Sequence, residues 1–143
     1  EWYRGFAEGQ KLMDDEGLND HVTLGGPKFG KDKFTFLANA DIFVFPTYFE
    51  LFPGVILEAM QFGKTIVSTF EGSIPDIVDT GANGLLVKPR SAEELAGAIA
   101  FLIDNPDKCF QFAAAAKKKF FEEFTLEAFE RRMYAVFEEV INK

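Results

Sequence analysis

Two short apolar runs, Ile42-Phe-Val-Phe45 and Thr65-Ile-Val-Ser-Thr69, are separated by a stretch that opens on Pro53-Gly54 and closes at Gly63. Short apolar runs bounded by turn residues read as buried strands. Val55 to Met60, followed by a terminating glycine, reads as a helix. The unit is therefore strand, loop, helix, strand, which leads to an α/β fold built on an open parallel sheet. In such a sheet, ligands bind in loops at the carboxyl ends of the strands.

Glu50 and Glu58 fall on either side of the Pro-Gly turn. Glu50 is placed in the loop after the first strand, and Glu58 about one turn into the helix. Most acidic side chains are simply solvated, and two at a fixed spacing arise easily by chance. The neighbours of Glu58 argue for more: Val55, Ile56, Leu57, Ala59 and Met60 make an almost wholly apolar helix, expected to be largely buried. A carboxylate there needs a partner or a ligand. We expect its carboxylate to face the crevice at the strand ends, near Gly72 and Ser73, where helix amides can meet an anion.

The run Pro46-Thr-Tyr-Phe-Glu50-Leu-Phe52-Pro-Gly-Val-Ile-Leu-Glu58-Ala-Met, with Gly63 and Ile66-Val-Ser68, resembles the signature of the group-1 family of retaining GT-B glycosyltransferases. The likeness continues through Glu71-Gly-Ser-Ile-Pro-Asp-Ile-Val78 and Gly81-Ala-Asn-Gly-Leu-Leu-Val87, and covers about residues 17 to 140. One acidic pair alone would be a weak signal; these segments in this order are specific.

The resemblance implies a Rossmann-like parallel sheet flanked by helices, the carboxyl-terminal lobe of a GT-B enzyme. Glu58 matches the acid that binds the ribose hydroxyls of a nucleotide-diphosphate sugar, a bidentate task suited to a carboxylate. Glu50 matches the acid near the transferred sugar. Leu51, Phe52 and Gly54 match the turn whose amides approach sugar and diphosphate, and Gly72 and Ser73 match a second loop near the phosphates. Pro53 departs from the glycine common at that position and has no amide hydrogen to donate, although proline suits a first helical turn.

The family has a second, amino-terminal lobe that binds the acceptor, and an Arg and a Lys early in the carboxyl-terminal lobe that neutralise the leaving diphosphate. Neither is found here. Residues 1–143 are accordingly expected to form a single partial domain, and the chain alone to transfer no sugar. In the sheet order 3-2-1-4-5-6, two strands between Val22-Thr-Leu24 and Ile42–Phe45 would be absent. The open edges would then be closed by direct pairing of those two segments or by two chains joining as a homodimer. A sugar-nucleotide epimerase of the same fold and a non-catalytic binding or assembly module are the alternatives.

Composition excludes other classes. A net charge of −8 argues against nucleic-acid binding. No run approaches a membrane span, and Glu1-Trp-Tyr-Arg-Gly5 does not read as a signal peptide. The single cysteine, Cys109, allows no internal disulfide and suits the cytoplasm; the family adds membrane association of the parent enzyme. Cys109 itself reads as a small buried residue. His21 has no companion at metal-ligand spacing, so neither metal nor cofactor is expected. Lys117-Lys118-Lys119, followed by Glu122 and Glu123, reads as a solvated helix face.

The remaining elements are a helix over residues 2–17, a short strand at Val22–Leu24, a helix from Lys33 to Asn39, one from Ile74 to Asp79, and a strand from Gly84 to Val87. Ser91 with Glu94 forms a capping box opening a helix to Asp104, and Asn105-Pro106 opens another to Glu123. Thr125 caps a last helix, with Phe124 and Phe129 as its staple. Its stripe of Phe129, Met133, Val136, Phe137 and Val140 is a packing face, part of which is expected to lie uncovered.

Overall fold

The computed structural model describes residues 2–142, with side chains from Gly5 onward. They form two compact units, one reaching to Phe36 and one from Leu37 onward.

The first unit carries α1 (Trp2–Asp15) and the opening turns of α2 (Gly30–Asn39). The segment between them is irregular. Gly9 on α1 faces Leu24, and the Phe36 ring lies against Gly25 with the Lys28 ammonium 5.1 Å from its centroid. The strand expected at Val22–Leu24 does not form. A three-residue run of suitable composition becomes a strand only when a neighbour takes its N–H and C=O groups. Among the described residues the strand ladders join Ile42–Phe45 to Thr65–Thr69 and Thr65–Thr69 to Gly84–Val87, and none includes Val22–Leu24, so the expected direct pairing is not observed.

The second unit holds β1 (Ile42–Phe45), α3 (Gly54–Gln61), β2 (Thr65–Thr69), α4 (Ile74–Ile77), β3 (Gly84–Val87), α5 (Ala92–Asp104), α6 (Pro106–Glu123) and α7 (Leu126–Ile141). The strands form a parallel sheet in the order β1-β2-β3, with Ile42 opposite Thr65 and Ile66 opposite Gly84. It is Rossmann-like, with helices over both faces.

Side-chain alternation divides the core accordingly. Phe43, Phe45, Ile66 and Leu86 meet Ile56, Ala59 and Met60 of α3 and Ile74 and Ile77 of α4. On the other face Ile42, Val44, Val67 and Leu85 meet Leu95, Ala98 and Leu102 of α5. Helix α6 serves both, with Cys109 and Phe112 in the second cluster and Ala116 and Phe120 in the first. Buried on both faces, β2 still carries three hydroxyls, and each is satisfied. Thr65 donates to Cys109 O at 2.6 Å, Ser68 to Phe45 O at 2.7 Å and Thr69 to Thr47 O at 2.6 Å.

Local chemistry places the helix ends. Helix α3 stops in a Schellman motif, with Gly63 N bonded to Met60 O and Lys64 N to Ala59 O, around Gly63 at φ +64°. Ser91 caps α5 by accepting from Glu94 N. The reciprocal half of the box is diverted, because the Glu94 carboxylate accepts from Lys88 N and pairs with the Lys88 ammonium at 2.8 Å. Thr125 caps α7 by accepting from Ala128 N. Phe124 packs on the first cluster, whereas Phe129, Val136, Phe137 and Val140 are exposed. The lysine run is not uniformly solvated as expected: Lys119 is only 14% exposed and binds Asp79 at 2.8 Å and Asp76 O at 3.1 Å. Among the described residues, no helix is long and apolar enough to cross a membrane.

Candidate functional site

The loop from Pro46 to Pro53 leaves β1 at its carboxyl end and leads into α3. It is held at several points. The Thr69 hydroxyl binds Thr47 O, and the Thr47 hydroxyl accepts from Phe49 N at 3.3 Å. Farther along, the loop that follows β2 grips it: Ser73 N donates to Leu51 O at 3.0 Å and Ser73 Oγ to the same oxygen at 2.6 Å. Gly72, at φ +52°, sits so close that an added Cβ would lie 2.1 Å from Glu50 O. Only glycine fits there, on both conformational and steric grounds.

Glu50, Leu51, Gly72 and Ser73 are thus brought together at the carboxyl ends of β1 and β2. Glu50 is half-buried, and its carboxylate accepts from Leu51 N at 2.8 Å. That bond orients the acid. It also occupies the Leu51 amide, which in this arrangement is not offered to a ligand as the resemblance suggested. Phe52 is exposed and Pro53 is buried as the N-cap of α3, in an extended conformation. The amides of Gly54 and Val55 stand in the first helical turn, where no intrahelical carbonyl can take them.

Glu58 is the fifth residue of α3 and is half-buried. The apolar run of α3 is largely enclosed, as its composition suggested: Ile56, Ala59 and Met60 are buried and Val55 and Leu57 half-buried, while Gly54 and Gln61 at the two ends are exposed. Glu58 shares the stripe of Gly54, four residues earlier. Helical side chains lean toward the amino terminus, so Glu58 leans toward the loop end of α3.

Lys64 and Lys88, the basic residues nearest the motif in sequence, are both engaged. Lys64 donates to Ala38 O at 2.8 Å. Lys88 is held by Glu94: its hydrogen bond to that carboxylate, then the charge beside it, raises the lysine pKa, and the same bond lowers that of Glu94. Sequence reasoning did not mark Tyr48 or Arg90. They stand far apart in the chain, and their meeting, with the guanidinium 4.6 Å from the ring centroid, has no sequence signal. The apolar hollow of about 340 Å³ lined by Ile42, Leu102, Cys109 and Phe110 opens at the amino ends of β1 and β2, away from both acids. Among the described residues no cluster of metal-binding side chains occurs.

Known proteins resemble this chain over most of its length. The model of the family "Glycosyl transferases group 1" matches residues 5–119. The MMP alpha-(1->4)-mannosyltransferase of Mycolicibacterium hassiacum is 26% identical over 92% of this chain and 32% of its own length. Sucrose-phosphate synthase from Thermosynechococcus elongatus superposes with a TM-score of 0.80 at 26% identity, over 93% of this chain and 33% of the other. The Anabaena protein HepE, solved in complex with UDP-glucose, also gives 0.80 at 26% identity, over 94% and 36%. The chain spans about a third of the length of the curated relatives named first among its matches.

Proposed function

We propose that this chain, which belongs to the glycosyl transferases group 1 family, binds the nucleotide-diphosphate sugar donor of a retaining glycosyltransferase. The observation that carries this is the joining of the two loops at the strand ends, with Gly72 and Ser73 packed and bonded onto Glu50 and Leu51 beside the start of α3. Support also comes from the solved complex of HepE with UDP-glucose.

In this proposal the Glu58 carboxylate accepts both ribose hydroxyls of the donor. The amides of Phe52 and Gly54, with the loop of Gly72 and Ser73, approach the diphosphate and sugar. As the bond from the sugar to the diphosphate breaks, positive charge develops on the sugar ring, and Glu50 lies on the side where it lowers that charge's energy. A half-buried carboxylate already oriented by the Leu51 amide needs little reorganisation for this. Negative charge develops on the diphosphate, and Lys64 and Lys88 are both held elsewhere. The chain alone is therefore expected to bind donor without transferring sugar to an acceptor.

Calorimetric titration with UDP, GDP and ADP tests the proposal. Binding at millimolar or tighter affinity, lost in Glu58→Ala, is the expected result. No binding of any of the three, or equal binding by the variant, removes the donor-site assignment. Sugar transfer by the purified chain from any nucleotide donor would refute the expected inactivity.

A further inference from the structure

Arg90 is the one residue other than glycine with positive φ among the described residues, at φ +63°. That left-handed conformation is uncommon and strained for a side chain with a Cβ, and strain of this kind persists only where the surroundings over-determine it. Here the turn Lys88-Pro89-Arg90-Ser91, closed by Ser91 N donating to Lys88 O at 3.3 Å, holds Arg90 at its third position, and the guanidinium it presents lies 4.6 Å from the centre of the Tyr48 ring. Tyr48 lies two residues before Glu50, in the loop that leaves β1. Beneath the loop on this side is a hollow of about 220 Å³ bounded by Pro46, Thr69, Val87 and Ser91, with Tyr48 and Arg90 on its wall. Packing does not fill that space. Tyr48 and Arg90 line it together, while Gly72 and Ser73 hold the loop farther along, at Glu50 and Leu51.

We propose that Arg90 is a positioning residue, holding Tyr48 and through it the loop that carries Glu50 in a donor-competent arrangement. This rests on the donor-site reading for its functional consequence, although the loop order it describes does not. Arg90 need not touch the donor. Its strained backbone places the planar, permanently charged guanidinium over the ring, a geometry that lysine reproduces only in part.

The test uses the full chain with Arg90→Gly and Arg90→Lys. Glycine removes the strain with the stack, so a purely structural role predicts an equal or higher melting temperature and nothing else. A positioning role predicts, at that same or higher melting temperature, lower backbone order parameters at Tyr48, Phe49 and Glu50 and UDP binding weakened about two- to fivefold. Arg90→Lys should lie between. Unchanged loop order in Arg90→Gly overturns the proposal, and so does a fall in melting temperature that accounts for the loss of order. If the unsubstituted chain does not bind UDP, the donor-site reading fails, and the order parameters still decide the role of Arg90.

Discussion

Gly72 packs against Glu50 so closely that a single methyl group on it would overlap the Glu50 carbonyl oxygen. The loop that follows β2 and the loop that carries Glu50 are therefore one mechanical unit. Gly72→Ala must move one of two backbones and adopt φ +52°. We expect a loss of about 2 kcal/mol or more in stability, with weaker UDP binding, read from urea denaturation and titration. An alanine variant as stable as the parent chain would show that the two loops separate freely.

Thr69 links the buried central strand to the same loop through its 2.6 Å bond to Thr47 O. Thr69→Val keeps the volume and leaves that carbonyl without its donor. The expected cost is about 1–2 kcal/mol, measured by chemical denaturation. A valine variant within experimental error of the parent would mean that water replaces the hydroxyl.

Lys119 is the less exposed member of its ion pair, with Asp79 57% exposed on the other side. Lys119→Met should leave Asp79 solvated rather than stranded, so the loss is smaller than for a fully buried pair, about 1 kcal/mol. Asp79→Asn, which leaves the less exposed ammonium with neutral oxygen acceptors and no counter-charge, should cost at least as much. Denaturation midpoints of the two variants give the order, and the reverse order contradicts this account.

The Lys88–Glu94 pair should leave a pH signature of defined sign. The hydrogen bond from Lys88 holds the Glu94 carboxyl below its ordinary 4.5, so its stabilisation is present above that value and lost as pH falls through the folded pKa. Lys88 is raised above 10.5, first by its bond to Glu94, so its contribution is complete below that value and lost as pH rises through the folded pKa. The stability difference between the parent chain and Glu94→Gln should be level from about pH 5 to pH 10 and shrink on either side. A difference that grows toward acid pH would reverse the assignment. Both groups are exposed, and added salt should reduce the difference.

Much of this molecule could be read from local pattern. The runs Ile42–Phe45, Thr65–Thr69 and Gly84–Val87 are strands as written, because each is a short apolar segment closed by turn residues. Ser91 and Thr125 act as N-caps because a side-chain oxygen needs only its own backbone three residues on. Glu58 could be singled out from its own apolar neighbours, and Glu50 from the family signature it stands in.

What local pattern could not decide depends on partners distant in sequence. Val22–Leu24 has strand composition, but a strand is a property of a pair, and no ladder includes it. Lys119 looks like its two neighbours in the run, yet α6 turns it onto Asp79 and the end of α4 while Lys118 stays in water. Glu94 has the spacing of a capping box, yet Lys88 competes for its carboxylate with a charge that the Ser91 amide lacks. The sequence by itself determined which segments become strands and helices and which acids are worth attention, since those follow from neighbours within a few residues. Only the tertiary structure decided that Gly72 and Ser73 close on Glu50 and Leu51, and that Arg90 reaches Tyr48. Contacts between remote segments follow from how the sheet stacks its carboxyl ends, and no local spacing encodes them.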